Sequence, residues 1–202
     1  YIDIGLMDCL VSLLTYVAQY YFDDGVVPGP MGTEHLSVVP YQAFQTKDGY
    51  VVVAVFAEKF WHGLCRAIDL AHLIDDPRFM NNDARRAHKA ELVPVLTKAF
   101  LTRTTDEWLP RLEKEGVPSG PINTLDRVFC DPQVLVRRMK IHVEHPTIGT
   151  LPMVGNPVKV AGVPEEFVPP PLLGQHTQQV LTELLRYSEE KIAQLRKEKV
   201  IQ

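Results

Sequence analysis

The sequence has few cysteines, no strong excess of charge of either sign, and no uninterrupted apolar run of membrane-spanning length. Its three cysteines, Cys9, Cys65 and Cys130, are far apart and odd in number, which indicates free thiols in a reducing compartment. The formal net charge of −4 gives no indication of a nucleic acid or an anionic membrane as partner. The apolar stretch Leu6–Phe22 is broken by polar residues, whereas a spanning helix needs about 20 mostly apolar residues, so we predict no membrane span.

Several catalytic and cofactor-binding motifs are also absent. The sequence has no HExxH or CxxC metal motif, no GxSxG nucleophile turn, no P-loop and no dinucleotide-binding glycine pattern. A metal site at HVEH is a weak alternative to exposed polar residues, because in a strand His142 and Glu144 point to one side and His145 to the other. Glu58, which opens a helix after a buried strand, is interpreted as a cap, with a position in a cleft as the alternative.

The N-terminal stretch predicts a well-buried helix that follows directly on the end of a strand. Apolar residues recur at helical spacing from Leu6 to Val17, and Asp23–Gly25 ends the pattern. Tyr1–Ile4 resembles the end of a strand, and a strand needs a neighbour to satisfy its backbone groups. We therefore expect this chain to be the later part of a longer protein. The prolines and glycines of VVPGPMG then predict a linker.

A β-hairpin is predicted next, over Tyr41–Thr46 and Tyr50–Phe56. Both runs are rich in aromatic and β-branched residues, and the KDG between them favours a turn in which Gly49 takes a positive φ. The run VVVAV is apolar on both faces, which predicts that both faces are covered.

Helices are predicted along the rest of the chain. Thr104 and Glu107 form a capping-box pattern, and Gly116 is the expected helix end. Pro94 and Pro110 fall inside helical patterns, which predicts either kinked helices or helix starts displaced by a turn. Further helices are predicted near Phe60, Leu92, Asn123, Asp131–Pro132, Thr177 and Glu189, and the proline-rich segment from His145 to Pro171 is predicted to be extended.

His35, in the glycine-containing loop MGTEH, is the residue whose role the local pattern leaves open. It either packs as a satisfied polar residue under the hairpin or borders a functional site, and the local pattern favours packing. The hydrophobic content of 46% supports a globular α/β or α+β fold of one or two domains. These residues alone do not identify a reaction.

Five stretches together cover nearly the whole chain: YIDIGLMD; GTEHLSVVPYQAFQTKDGYVVVAV; DPRF with Asn82 and Arg85; WLPRLEKEGVPSGPINTLDRVFCDPQV; and PPPLLGQHTQQVL. In this order they resemble the class III coenzyme A transferase family (CaiB/BaiF). VPYQAF, TKDGY and PPPLLGQHT resemble in particular the family members that act as succinyl-CoA:glutarate CoA-transferases.

The resemblance implies a small α+β domain inserted in a Rossmann-like large domain, and two subunits that interlock as a homodimer. Only the N-terminal strand and helix and the C-terminal tail of the large domain are then expected in this chain. The implied divisions are 1–24 in the large domain, 25–37 as linker and active-site loop, 38–125 as the small domain, 126–167 as return linker and 168–202 as C-terminal helices of the large domain.

The resemblance also implies a CoA transfer that passes through an aspartyl-CoA thioester. The family's nucleophilic aspartate lies upstream of YIDIGLMD, so no catalytic residue is expected in this chain, which alone should be inactive. Gly32, Glu34 and His35 are expected to border the acyl site, without His35 acting as an obligate acid or base. The implied partners are an acyl-CoA and a carboxylic acid acceptor. The coenzyme A thioester is expected as a substrate, with no cofactor or metal, and the expected location is the cytoplasm or, in a eukaryote, the mitochondrial matrix.

Two alternatives remain open at this point. The first is an α-methylacyl-CoA racemase, which shares the implied fold but moves a proton at the α-carbon with an upstream His/Asp pair. The second is a non-catalytic chain that stabilises a partner by interlocking with it.

Overall fold

The structure is a computed structural model that describes residues 1 and 3–201 in two compact units, Tyr1–Ile122 and Asn123–Gln202. Ile2 and Gln202 lie outside the described residues, and so do the parts of the predicted 1–24 and 168–202 segments that they occupy. The other three residues of the predicted N-terminal strand end are in no strand. Both units combine helices with a small antiparallel sheet, which gives a mixed α/β fold. Among the described residues, no helix is long and apolar enough to cross a membrane.

The prediction of one well-buried N-terminal helix is wrong in both respects. Two helices form instead, α1 (Leu6–Ser12) and α2 (Thr15–Asp24). They are separated at Thr15, whose φ of 46° is a left-handed value that a continuous helix does not contain. The apolar face of α1 is exposed, with Leu6 at 84% of its full accessibility, and no residue of α1 is buried. Gly25, with a φ of 67°, ends α2 as the sequence predicts.

The predicted hairpin is confirmed, but its turn closes in another way. Strands β1 (Tyr41–Gln45) and β2 (Tyr50–Ala54) pair antiparallel, and β3 (Ser119–Pro121) pairs with the other edge of β2. The predicted positive φ at Gly49 is wrong, because a side chain holds the turn instead. Thr46 Oγ1 accepts the Gly49 N–H at 3.0 Å, so the turn does not depend on left-handed backbone.

The core of the first unit lies between this sheet and the helices packed on it. One face of β2 is fully buried and the other only partly, which corrects the prediction that both faces are covered. Phe44 of the sheet stacks on Phe100 at 4.8 Å between ring centroids, and Phe100 meets Trp108 edge-on at 5.3 Å. These aromatic contacts add to the hydrophobic gain of burial. The helices of this unit are α3 (Glu58–Ala67), a 3₁₀ turn (Ala71–Leu73), α4 (Asn82–Ala87), α5 (Lys89–Phe100) and α6 (Thr105–Lys114).

The capping box at the start of α6 is confirmed. The Thr104 side chain accepts the Glu107 N–H at 3.3 Å, and the Glu107 carboxylate accepts the Thr104 N–H at 2.8 Å. Gly116 follows the helix with a φ of 68°, also as predicted. The capping box fixes the start of α6, so a displaced helix start does not explain the position of Pro110 inside this helix. Pro94 likewise lies inside α5.

In the second unit, the predicted helix starts and strand alternation are mostly confirmed. The first helix has Thr124 at its N-cap position, one residue later than predicted and without a side-chain cap, and Asp131 caps the next by accepting the Gln133 N–H at 2.8 Å. In β4, His145 is buried while His142 is exposed on the opposite side, as the alternation predicts. The elements are α7 (Leu125–Val128), α8 (Pro132–Val136), the antiparallel pair β4 (Lys140–His145) and β5 (Gly149–Val154), α9 (Thr177–Gln179), a π-helical turn (Val180–Leu184) and α10 (Glu189–Lys197).

Candidate functional site

A loop over residues 25–37 joins α2 to the hairpin and carries the three site residues that the sequence predicts, Gly32, Glu34 and His35. Gly32 has a φ of 66°, a left-handed value that favours glycine because other residues are strained there. The turn is closed by the Glu34 N–H, which donates to the Met31 carbonyl at 3.3 Å. The following N–H, that of His35, donates to the Tyr41 carbonyl at 2.8 Å and so ties the loop to the first residue of β1.

The imidazole of His35 lies between two tyrosine rings. Its centroid is 5.0 Å from that of Tyr41 and 6.0 Å from that of Tyr16, with interplanar angles of 10° and 24°. Its Nδ1 accepts the Ser37 N–H at 3.1 Å, so we assign the neutral tautomer with the proton on Nε2. In this tautomer the Nε2–H donates to the Tyr16 hydroxyl at 3.1 Å.

The other loop side chains are paired as well. The Glu34 carboxylate is 2.5 Å from Lys89 Nζ, and the two side chains are each about one-third exposed. Thr33 Oγ1 accepts the Ala43 N–H at 3.1 Å, which holds the loop beside β1. Glu34 therefore balances a neighbouring ammonium, and its carboxylate is not presented alone as a nucleophile or base.

Two cavities open beside the loop and share Pro28 and Leu36 in their walls. The smaller, of about 270 Å³, is also lined by Tyr16, Glu34 and His35. The larger, of about 450 Å³, lies within the range of about 300–1,000 Å³ that is usual for small-molecule sites. Its polar lining consists of Tyr20, Asp24, Ser37 and Arg86.

Glu58, for which the sequence suggested a cap or a cleft position, does neither. Its carboxylate binds the guanidinium of Arg85 at 2.9 and 3.0 Å, and it makes no side-chain cap to α3. Arg85 is 1% exposed, lies 4.9 Å over the Trp61 ring, and donates from Nε to the Val39 carbonyl at 2.7 Å. A buried arginine thus joins α4 to the backbone between the loop and β1.

Neither the cysteines nor the HVEH stretch forms a reactive centre in the structure. In the part of the chain that is described, no cluster of three or more His, Cys, Asp or Glu side chains could hold a metal ion. His145 Nδ1 accepts the Ile148 N–H at 3.3 Å, which explains it as a turn residue. Burial raises the pKa of the Cys65 thiol to about 12, so this cysteine is a core residue and not a nucleophile.

The sequence indicated His35 but not the tyrosines around it. Tyr16 and Tyr20 are four residues apart on α2, a spacing that places them on the same helix face. Tyr20 Oη lies 3.4 Å from Ser37 Oγ, so both tyrosines contact the loop. Two tyrosines four residues apart on a helix that precedes a glycine-containing loop are the sequence signal that could have identified Tyr16 and Tyr20.

Comparison with known proteins gives one family. The family model described as CoA-transferase family III matches residues 1–177. Human succinyl-CoA:glutarate CoA-transferase is 39% identical over 196 residues, 96% of this chain and 45% of that protein. Succinate–glutarate CoA-transferase of Agrobacterium fabrum is 32% identical over 185 residues, 91% of this chain and 46% of that protein.

A solved structure gives the same result for the fold. The crystal structure of a CaiB/BaiF family protein from Brucella suis superposes with a TM-score of 0.76 at 33% identity, covering 91% of this chain and 47% of that one. The chain therefore spans about half the length of the relatives that it matches.

Proposed function

Since the chain belongs to CoA-transferase family III, we propose that it forms part of an enzyme that transfers CoA from an acyl-CoA thioester to a carboxylic acid. The two relatives named for succinate and glutarate support a dicarboxylic acid as donor or acceptor here as well. We further propose the domain divisions at residues 24, 37, 125 and 167, with the small α+β domain inserted in a Rossmann-like large domain. An interlocked homodimer completes this proposal.

The proposed reaction exchanges a thiolate and a carboxylate in four balanced steps. An aspartate carboxylate oxygen attacks the thioester carbonyl, the C–S bond breaks, and CoA leaves as thiolate, which gives a mixed anhydride of the aspartate and the donor acid. The thiolate then attacks the aspartyl carbonyl, releasing the donor carboxylate and leaving an aspartyl-CoA thioester. The acceptor carboxylate attacks that thioester and again displaces CoA thiolate. The thiolate finally attacks the acceptor carbonyl, which regenerates the aspartate.

We propose that this aspartate is not among the residues of this chain and lies in the half of the relatives' length that the chain does not match. Gly32, Glu34 and His35 would border the acyl group during the exchange. No step of the exchange consumes or releases a proton, so the reaction needs no general acid or base at His35. The position of His35 supports a binding role, because its Nδ1 already accepts the Ser37 N–H and its side chain lines the smaller cavity.

The test uses the full-length protein with succinyl-CoA and ¹³C-labelled glutarate, followed by mass spectrometry of the CoA thioesters. We expect labelled glutaryl-CoA to form. His35→Gln should lower kcat/KM for the acceptor about tenfold, the effect of losing one good hydrogen bond or contact. Removal of a general acid or base would cost about 10²–10⁴ instead. The exposed His72 lies in the same unit, and His72→Gln should leave the rate unchanged.

Two outcomes would contradict the proposal. The first is the absence of CoA transfer to any dicarboxylic acid. The second is the incorporation of deuterium from D₂O at the α-carbon of an acyl-CoA without a change of acceptor, which is the racemase reaction.

A further inference from the structure

We infer that Asn82 and Lys89 are positioning residues, which hold the loop around His35 in the geometry that CoA transfer requires. This inference rests on the proposed function. It concerns the backbone from Glu34 to Val39, which includes His35 and ends just before β1. Neither residue lines the two cavities described above, so both would act through the loop and not on the substrate.

Asn82 binds the loop with both ends of its side-chain amide. Its Oδ1 accepts the Val39 N–H at 3.0 Å, and its Nδ2 donates to the Ser37 carbonyl at 2.8 Å. Two main-chain groups two residues apart are thus paired as they would be by a neighbouring strand. These partners need one acceptor and one donor, which an amide offers and a carboxylate does not.

Lys89 binds the loop on the other side of His35, through its ion pair with Glu34. Arg85, which lies between Asn82 and Lys89 in the sequence, donates to the Val39 carbonyl from the buried side of the loop. Asn82 and Arg85 are three residues apart on α4, a spacing that places them on the same helix face, and Lys89 is the first residue of α5. The loop is therefore fixed before His35 by an ion pair and after it by neutral and charged hydrogen bonds.

The position of the His35 ring depends directly on the part of the loop that Asn82 holds. Ser37 supplies the N–H that His35 Nδ1 accepts, and its carbonyl is the one that Asn82 binds. A shift of Ser37 would therefore move the imidazole out of its place between the tyrosines. Misplacement of a group at a reacting centre by about 1 Å can cost about 100-fold in rate.

The experiment measures exchange and kinetics on the same full-length variants, Asn82→Ala, Asn82→Asp and Lys89→Met. Asn81 is the control for Asn82: it caps α4 by accepting the Ala84 N–H at 2.9 Å, but its side chain makes no hydrogen bond to the loop. The exposed Lys98, on the same helix as Lys89, supplies the control Lys98→Met.

We expect amide hydrogen exchange in the peptide covering 34–41 to rise in both Asn82 variants. We also expect kcat/KM for the acceptor acid to fall at least tenfold, with part of the loss in KM. Asn81→Ala and Lys98→Met should retain wild-type kinetics. Lys89→Met should lie between the controls and the Asn82 variants, because it leaves the contacts after His35 intact. A purely structural loss would lower the active fraction and leave KM unchanged.

The inference is overturned if exchange in 34–41 rises while the kinetics stay at wild type, or if Asn81→Ala loses as much activity as Asn82→Ala. Failure of the proposed function is a separate result, because the wild-type protein would then transfer no CoA. In that case, if Asn82→Ala left amide exchange in 34–41 unchanged, the attachment of the loop by Asn82 would be refuted as well. If Asn82→Ala raised that exchange, the attachment would stand and only its role in transfer would be refuted.

Discussion

Replacement of the buried Arg85 by methionine should lower the free energy of unfolding of the first unit by about 3–6 kcal/mol. Arg85 donates to the carbonyl oxygens of Val39 at 2.7 Å and Phe79 at 3.0 Å. Methionine has a similar length but no donor, so both carbonyls would lose a charged partner. A hydrogen bond to a charged group contributes about 1.5–3 kcal/mol, and two such losses give the expected range.

The matching replacement on the carboxylate side should cost much less. The Glu58 side chain is 46% exposed, so water can take the place of its ion pair when Glu58→Gln removes the charge. A partly exposed ion pair contributes about 0–1 kcal/mol, and the two variants should therefore differ by about 2–6 kcal/mol. The assay is urea unfolding followed by the fluorescence of Trp61 and Trp108, which are both buried in this core. The exposed Arg86 gives the control Arg86→Met, expected within about 0.5 kcal/mol of wild type.

Two results would refute this reasoning. If Arg85→Met cost less than about 1 kcal/mol, the two carbonyls would not depend on the guanidinium. If Glu58→Gln cost as much as Arg85→Met, the energy would lie in the ion pair and not in the carbonyl contacts. A double-mutant cycle over Arg85 and Glu58 separates these cases, because it isolates the coupling between the two side chains.

Three further outcomes are expected. Thr104→Ala, which removes the capping box of α6, should cost about 1 kcal/mol in urea unfolding; an unchanged midpoint would contradict the role of the cap. The hydrogen bond from Arg78 lowers the pKa of Asp76 from 3.8 to about 2, so the stability that this carboxylate contributes is present above about pH 4 and is lost as the pH falls through about 2. Asp76→Asn should flatten the acid side of the curve of stability against pH. An unaltered acid side would contradict the assignment. Because burial raises its pKa to about 12, Cys65 should resist a thiol reagent at pH 8 until urea unfolds the core, and rapid labelling of the folded protein would contradict its burial.

Local sequence patterns were sufficient for the elements whose contacts are close in sequence. The capping box needs only Thr104 and Glu107, and the hairpin needs two β-rich runs joined by a turn. The positive φ expected at Gly49 was wrong because the Thr46 side chain closes the turn, and a dipeptide pattern does not show that alternative. The burial expected for the first helix was wrong for another reason. Periodicity identifies an apolar face but not the element that covers it.

The site was predictable only in outline. The resemblance located the loop at Gly32–His35, but the residues that fix the imidazole come from α2, from the start of β1 and from α4. The contacts with α2 and α4 join residues about 20 to 45 positions apart, and a single sequence does not record which distant side chains meet. The DPRF-N-R stretch matched the family pattern without any indication that Asn82 and Arg85 bind the N–H and the carbonyl of Val39, the residue that precedes the cis bond to Pro40.

The proposed chemistry and the geometry of the loop both require that the side chains around the proposed acyl site keep fixed positions. The transfer that we propose exchanges a carboxylate for a thiolate and moves no net proton, so the residues proposed to border the acyl group would act by position and not by titration. His35 meets this requirement because three residues hold its imidazole: Ser37 through its main-chain N–H, Tyr16 through its hydroxyl and ring, and Tyr41 through its ring. Those neighbours keep their places only while the backbone from Ser37 to Val39 is held, and the groups that hold it belong to α4. The rate of transfer should therefore depend on Asn82, a residue that the substrate does not need to touch.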